Sequence, residues 1–249
     1  MSVHLPRIVI VGATSAIAVH CARLWLSAAP AALTLIGRDL QKTSDIAADL
    51  RVRSPQSIVQ VLQTDFLDPA AIRTLVEALC AEGVIDLVLI AHGSLPVQAD
   101  CQQNVNLVQE ALAINGISPV LFAEAFATHM EKVQAGTLVL IGSVAGDRGR
   151  KSNYVYGAAK GLVTRYVQGL QHRLAGTGVK VVLIKPGPTS TPMTAHLPQR
   201  GMASVESVAS IIVKGLREGK PVIYAPPKWA IIMMVIRHLP GFVFNKLDI

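Results

Sequence analysis

The sequence predicts an α/β fold, a doubly wound sheet of seven parallel strands with helices on both faces, and three observations carry that expectation. First, 51% of the 249 residues are apolar but only 4% are aromatic, so the core is built mainly of Ala, Val, Leu and Ile, which suit buried parallel strands and covering helices. Second, short apolar runs alternate with longer segments of helical period along the chain. Third, Pro and Gly fall mainly between these segments, as loop punctuation does.

The strands are expected at 8–11, 33–36, 58–62, 87–91, 138–141, 179–184 and 222–224. The stretches between them are long enough for the crossover helices that parallel strands require, each right-handed in nearly all known cases. No repeat or linker interrupts the alternation, so one domain is expected over 1–249, ending in an apolar tail at 226–249. Two places break the rhythm: the Pro-rich 186–198 stretch and the tail from Trp229 onward.

Lys and Arg (23) exceed Asp and Glu (16), a net charge of +7 that suits an anionic partner. The charges are scattered and only Arg148, Arg150 and Lys151 are locally dense, which argues against nucleic acid and leaves phosphorylated ligands. Cys21, Cys80 and Cys101 lack metal-ligand or CxxC spacing, so no metal is expected and a reducing, cytoplasmic setting fits. Arg7 and the apolar run to Ala16-Ile17-Ala18 mimic a signal peptide, but read better as strand, turn and helix start.

That turn is Gly12-Ala13-Thr14-Ser15-Ala16-Ile17-Ala18, where a helix N-terminus can meet a pyrophosphate. Gly12, Thr14, Ser15, Ala16 and Ile17 are the expected contacts, in a Rossmann-type arrangement. After the second strand, Arg38 offers a planar cation for a ribose 2′-phosphate, which prefers NADP(H) while leaving NAD(H) open. Arg38 can equally be a solvated loop residue, and Asp39 beside it weakens the preference. Asp65, with Phe66 next to it, either contacts adenine or caps a helix beginning near Asp68.

Tyr156 and Lys160 stand four apart, on one face of a helix, separated by Gly157-Ala158-Ala159, small enough to let a cofactor lie close. A phenol titrates near pH 10, and Lys160 is placed to lower that value. Ser143, thirteen residues earlier at a strand C-terminus, borders the ligand crevice and can polarise a substrate carbonyl.

With this spacing the chain resembles the short-chain dehydrogenase/reductase family, from the first strand to at least Met193. The resemblance adds Asn115, in Ile114-Asn115-Gly116, to Ser143, Tyr156 and Lys160 as a catalytic tetrad. It implies that Asn115 holds a water in a relay to Lys160, that Lys160 binds the nicotinamide ribose, and that Pro186, Gly187, Thr189 and Thr191 contact nicotinamide and pyrophosphate. Two departures stand out: Ala16 and Ala18 replace glycines, and Ala91-His92-Gly93 replaces the usual Asn-Ala-Gly, where all three residues adjoin the cofactor and His92 packs or hydrogen-bonds rather than catalyses. The family also implies a homodimer or homotetramer formed through the helices bearing Asn115 and Tyr156.

Segments 143–148, 152–157, 193–197 and 232–238 are similar to the family's decaprenylphosphoryl-2-keto-ribose reductase subgroup. That similarity implies a polyprenyl-phosphate-linked 2-ketosugar substrate, a flavin oxidase partner and a role in supplying a cell-wall polysaccharide precursor. The tail, too short to span a bilayer, can lie in the inner membrane face, receive a polyprenyl chain, close over the substrate pocket or pack between subunits. Other readings are a reductase of a soluble ketone, steroid or 3-oxoacyl thioester, and a non-catalytic dinucleotide sensor or membrane-associated scaffold.

Overall fold

Alternate apolar residues of a strand go to opposite sides of its sheet, and the first strand does this plainly. In β1 (Arg7–Val11), Ile8 and Ile10 enter one buried layer and Val9 and Val11 the other. The computed structural model describes residues 5–247, so the ends of the expected domain and tail, 1–4 and 248–249, lie outside the described residues. The remaining strands are β2 (Ala32–Gly37), β3 (Ile58–Gln63), β4 (Leu87–Ile90), β5 (Gly136–Ile141), β6 (Val179–Pro186), the two-residue β7 (Thr189–Ser190) and β8 (Ala203–Ser204), and β9 (Val222–Ala225).

Seven of them form one parallel sheet in the order β3-β2-β1-β4-β5-β6-β9, which is the Rossmann-type doubly wound architecture expected from the alternation. Each expected strand is present, shifted by at most two residues at an end. The small β7-β8 pair was not expected, because two residues carry no readable period; it ties the Pro-rich stretch after β6 to the start of α8.

Helices α1 (Ala16–Ala28) and α2 (Leu40–Arg53) cover one face, and α3 (Pro69–Ala81) covers the other. Then come α4 (Gln98–Gln103), α5 (Val105–Leu112), a π turn (Ala113–Ile117), α6 (Ser118–Val133) and α7 (Tyr154–Arg173), with α6 and α7 packing beside α3. Helix α8 (Val205–Arg217) returns to the first face, and α9 (Lys228–His238) and α10 (Gly241–Phe244) form the tail. Phe122, Phe126, Leu33, Leu35, Ile36 and Leu89 are fully buried, each stabilising the fold by about 1.5–3 kcal/mol. Asp68 caps α3 by accepting from the Ala70 and Ala71 N–H groups, with Pro69 preset for the first turn.

The helical run at 105–133 is long and apolar enough to cross a membrane, yet 56% of that window is buried within the protein. The chain order reverses between β1 and β4, and the crevice at their C-terminal ends is where open α/β sheets bind ligands.

Candidate active site

A single turn sets the first wall of this crevice. Gly12 has φ +81°, a left-handed conformation, and a methyl group on it would stand 2.6 Å from the His92 backbone nitrogen. Only glycine meets both demands. Its N–H and that of Ala13 bond the Ile36 carbonyl, fastening the β1 turn to β2. Ser15 ends the turn without a side-chain cap on α1, so the helix presents first-turn N–H groups to the cavity, as pyrophosphate binding requires. Ala16 occupies the first helical position and lines the cavity, and Ala18 is buried in the core.

At the end of β2, Arg38, Asp39 and Lys42 line the same cavity. Asp39 is committed: its carboxylate caps α2 by accepting from the Lys42 N–H (3.0 Å) and pairs with Lys42 Nζ (3.3 Å). These contacts hold its carboxyl below the usual range. Among the described residues no hydrogen bond or ion pair engages the Arg38 guanidinium, which lies 6.0 Å from the Phe66 ring centre. Phe66 lines the cavity as expected. Asp65 does not: it is exposed, and its carboxylate accepts from the Leu67 N–H (2.8 Å). The α3 cap does not fall to Asp65, because Asp68 takes it.

Ala91, His92 and Gly93 form the cavity wall beyond β4. The half-buried His92 ring packs edge-on against Phe66 and Phe122, with Nε2 2.9 Å from Ser118 Oγ. Burial, then the charges of Lys160 and Arg38, hold it down to about pKa 3. It is a neutral packing group at physiological pH, as the sequence suggested.

Glycines bring the catalytic candidates together. A methyl group on Gly146 would stand 2.6 Å from the Lys160 carbonyl carbon, and one on Gly157 3.0 Å from the Ala145 carbonyl oxygen. Helix α7 thus lies directly on the Val144–Gly146 turn that follows Ser143. The Ser143 hydroxyl accepts from the Ala145 N–H (3.0 Å) and lines the same cavity as Tyr156. Lys160 is 2% exposed, and its Nζ donates to the Ile141 carbonyl (3.0 Å). Asn115 sits in the π turn behind the cavity wall, accepting from the Ser94 N–H (2.7 Å) and donating to the Ala111 carbonyl (2.9 Å). A methyl group on Gly93 would stand 2.8 Å from Asn115 Oδ1 and 3.6 Å from Lys160 Nζ, so the two groups converge on that glycine.

The electrostatics differ from the sequence expectation. Burial pushes the Tyr156 phenol up to about 12, opposed only by the nearby Ser143 hydroxyl. Lys160 does not lower it: Nζ lies 5.8 Å from the phenol ring centre, is spent on the Ile141 carbonyl, and is itself brought down to about 8 by burial. The phenol is therefore protonated at neutral pH, the state in which it can donate a proton.

Pro186, Gly187, Thr189 and Thr191 complete the opposite wall. Gly187 is held against the tail, since a methyl group there would stand 2.0 Å from Trp229 Nε1. The tail is fixed from the Ser143 side as well. Arg148 donates to the Ile236 (2.6 Å) and Leu239 (2.7 Å) carbonyls and lies 3.8 Å over Phe244. Its neighbour Asp147 forms a buried ion pair with Lys185 and accepts from the Tyr224 hydroxyl (3.0 Å). None of the cavity-lining residues comes from α9 or α10, so the tail buttresses the site and does not roof it.

The cavity encloses about 650 Å³. Sequence reasoning missed Lys42, Arg150, Asn153, Met193, Leu197 and Met202 in its walls. Lys42 lies in the first turn of α2 beyond the Asp39 cap, and Met193, Leu197 and Met202 show no periodic pattern that would place them in a wall. The open α1 terminus, the Gly12 cradle and the free Arg38 cation fit a dinucleotide, and the Ser143–Tyr156 pair beside them fits carbonyl chemistry.

A Rossmann-type sheet with this constellation at its switch point defines a dinucleotide-dependent oxidoreductase. The profile of the short chain dehydrogenase family matches residues 6–201. An uncharacterized oxidoreductase of Mycobacterium tuberculosis is 33% identical over 244 residues, covering 96% of each chain. Another, encoded in the mprA 5′ region of Streptomyces coelicolor, is 30% identical over 244 residues, covering 97% of this chain and 96% of its own. Among solved structures, a short-chain dehydrogenase from Sphingobium yanoikuyae in complex with NADPH superposes with TM-score 0.82 at 24% identity, covering 98% of this chain and 97% of its own. One from Burkholderia cenocepacia in complex with NADP gives 0.83 at 16% identity, covering 100% of both. The chain belongs to the short-chain dehydrogenase family, and is an NAD(P)-dependent oxidoreductase.

Proposed function

We propose that this enzyme reduces a ketone to a secondary alcohol, with NADP(H) preferred over NAD(H). The observation that carries the reading is the convergence of Ser143 and Tyr156 on the cavity that also holds the open α1 N-terminus. When bound, the nicotinamide cofactor supplies the hydride. Ser143 polarises the carbonyl, Tyr156 gives its proton to the alkoxide oxygen, and Lys160 returns a proton to the phenol from solvent by way of a water that Asn115 would hold. Following nicotinamide absorbance with and without candidate ketones tests this. Cofactor binding with no turnover on any ketone class would favour the sensor or scaffold reading.

The NADP(H) preference rests on the Arg38 guanidinium and on Lys42, one turn into α2. The two solved structures described with NADPH and NADP agree with it. Arg38→Asp is expected to weaken NADPH binding by about 10–100-fold, the range of a charged hydrogen-bond pair, while NADH binding changes by less than about threefold. An equal loss for both cofactors would remove Arg38 from 2′-phosphate recognition.

We further propose that residues 1–249 form one domain whose substrate is a polyprenyl-phosphate-linked 2-ketosugar, with a separate flavin oxidase as partner. Support comes from the segments similar to that subgroup and from the apolar Met193, Leu197 and Met202 in the cavity wall. Exposed Ile231, Met234, Val235 and Phe242, with Lys228, Arg237 and Lys246 among them, suit contact with an anionic cytoplasmic membrane face. Exposed Ile117 and Leu162, beside Asn115 and Tyr156 in sequence, suit a subunit interface. Sedimentation with and without anionic liposomes reads both: a monomer that stays in the supernatant would sink them.

A further inference from the structure

Between Ser143 and Tyr156 the chain makes a short irregular excursion, and one cation in it has no partner. Among the described residues no hydrogen bond or ion pair engages the Arg150 guanidinium, and its Nε is buried without an acceptor. Two residues earlier Arg148 is engaged by the tail, through Nη1 to the Ile236 and Leu239 carbonyls. The Asn153 side-chain oxygen is likewise buried and unpartnered, three residues from Arg150. Both side chains line the cavity that holds Ser143 and Tyr156.

A guanidinium keeps its charge in a protein, even where burial lowers its pKa, as it does at Arg150. Holding a half-buried charge with its Nε shut off from water and no counter-ion is costly, so a ligand that supplies the anion gains what the protein alone lacks. The cofactor's phosphates have their own partners at the α1 terminus, Arg38 and Lys42. A surplus cation beside the proton donor therefore points to the other reactant. The planar fork suits a phosphate or a carboxylate, and the Asn153 oxygen, an acceptor only, needs a hydroxyl or N–H. Met193, Leu197 and Met202 decide between the two anions. A carboxylate ends a molecule, whereas the second substituent of a phosphate ester can continue over those apolar side chains.

We propose that Arg150 and Asn153 form a subsite for a phosphate ester on the substrate, with Arg150 holding the phosphoryl oxygens and Asn153 accepting from a neighbouring hydroxyl, so that phosphorylated hydroxyketones are selected. This rests on the reading that the ketone is reduced at Tyr156, and it assigns specificity to residues outside the tetrad.

Calorimetry on the NADPH-saturated protein tests it with geranyl phosphate, ribose 5-phosphate and geraniol as probes. The wild type is expected to bind at least one phosphate ester at least about tenfold tighter than geraniol. Arg150→Met should erase that preference, Arg150→Lys should keep part of it, and NADPH affinity should stay within about twofold throughout. Asn153→Asp, which gives the guanidinium an internal counter-ion, should also erase it and serves if Arg150→Met fails to fold. Tighter binding of geranyl phosphate would assign the anion to a lipid carrier, and of ribose 5-phosphate to a soluble sugar phosphate. No preference in the wild type, or a preference that survives both substitutions, would overturn the proposal, and so would a loss of NADPH affinity instead. NADPH oxidation with neutral ketones is scored separately: phosphate selectivity without any ketone reduction would sink the reductase reading alone, and reduction without selectivity would sink the subsite alone.

Discussion

Tyr156→Phe is expected to lower NADPH-dependent ketone reduction by about 10²–10⁴-fold, the usual contribution of a positioned general acid, while cofactor affinity and the fold are retained. The structure makes this a clean substitution. The phenyl ring is the same size, and the Ser143 hydroxyl keeps the Ala145 N–H as a partner when the phenol is gone. Because the phenol sits near pKa 12, it is protonated across the physiological range, so its own titration should not limit reduction below that pH. Stopped-flow turnover beside fluorescence titration of NADPH separates the two effects. Near-wild-type reduction by the variant would move the proton source elsewhere, and an equal loss of NADPH binding would make Tyr156 a cofactor ligand first.

Ser143, Tyr156 and Lys160 were readable as a group because they are tied to regular elements, whereas Asn115 came only from the family resemblance. Tyr156 and Lys160 share a helix face, and Ser143 ends a strand, so spacing alone brings them to one place. All seven sheet strands were legible for the same reason: a buried parallel strand is an apolar run whatever surrounds it. The doubtful glycine positions became interpretable only in three dimensions, where φ and crowding single out Gly12 and leave Ala16 an ordinary first helical residue. Arg150 was visible as part of a basic stretch, but sequence could not tell it from Arg148. One neutralises a helix end and the other is left bare in the cavity, a difference set by contacts 88 or more residues away. Charge state was the least legible property. Sequence spacing suggested an amine lowering a phenol, whereas burial acts on both groups separately and shifts each toward its neutral form.

Lys160→Met is expected to abolish turnover and, at pH 7, to stabilise the protein. The amine is brought from its ordinary 10.5 to about 8 by burial, a difference worth about 3 kcal/mol against the folded state while Lys160 is charged. Between pH 8 and 10.5 the unfolded chain holds the proton that the folded chain has lost, so stability contributed by this site rises with pH across that window. Below about pH 8 the penalty is present in full; above 10.5 it is gone. Methionine removes it at every pH but leaves the Ile141 carbonyl without its donor, which costs about 1–3 kcal/mol. The variant's advantage at pH 7 is therefore about 1–2 kcal/mol at most, and it should shrink and then reverse as pH rises toward 11. Urea unfolding of both proteins from pH 7 to 11 measures this. A variant less stable than wild type at pH 7, with no dependence of the gap on pH, would mean that the amine is not held charged against its surroundings. In that case Lys160 would serve the fold before it serves the reaction. The expected result says the opposite: the chain tolerates a destabilising buried charge at the one position on α7 where a proton relay and a ribose contact both call for an amine.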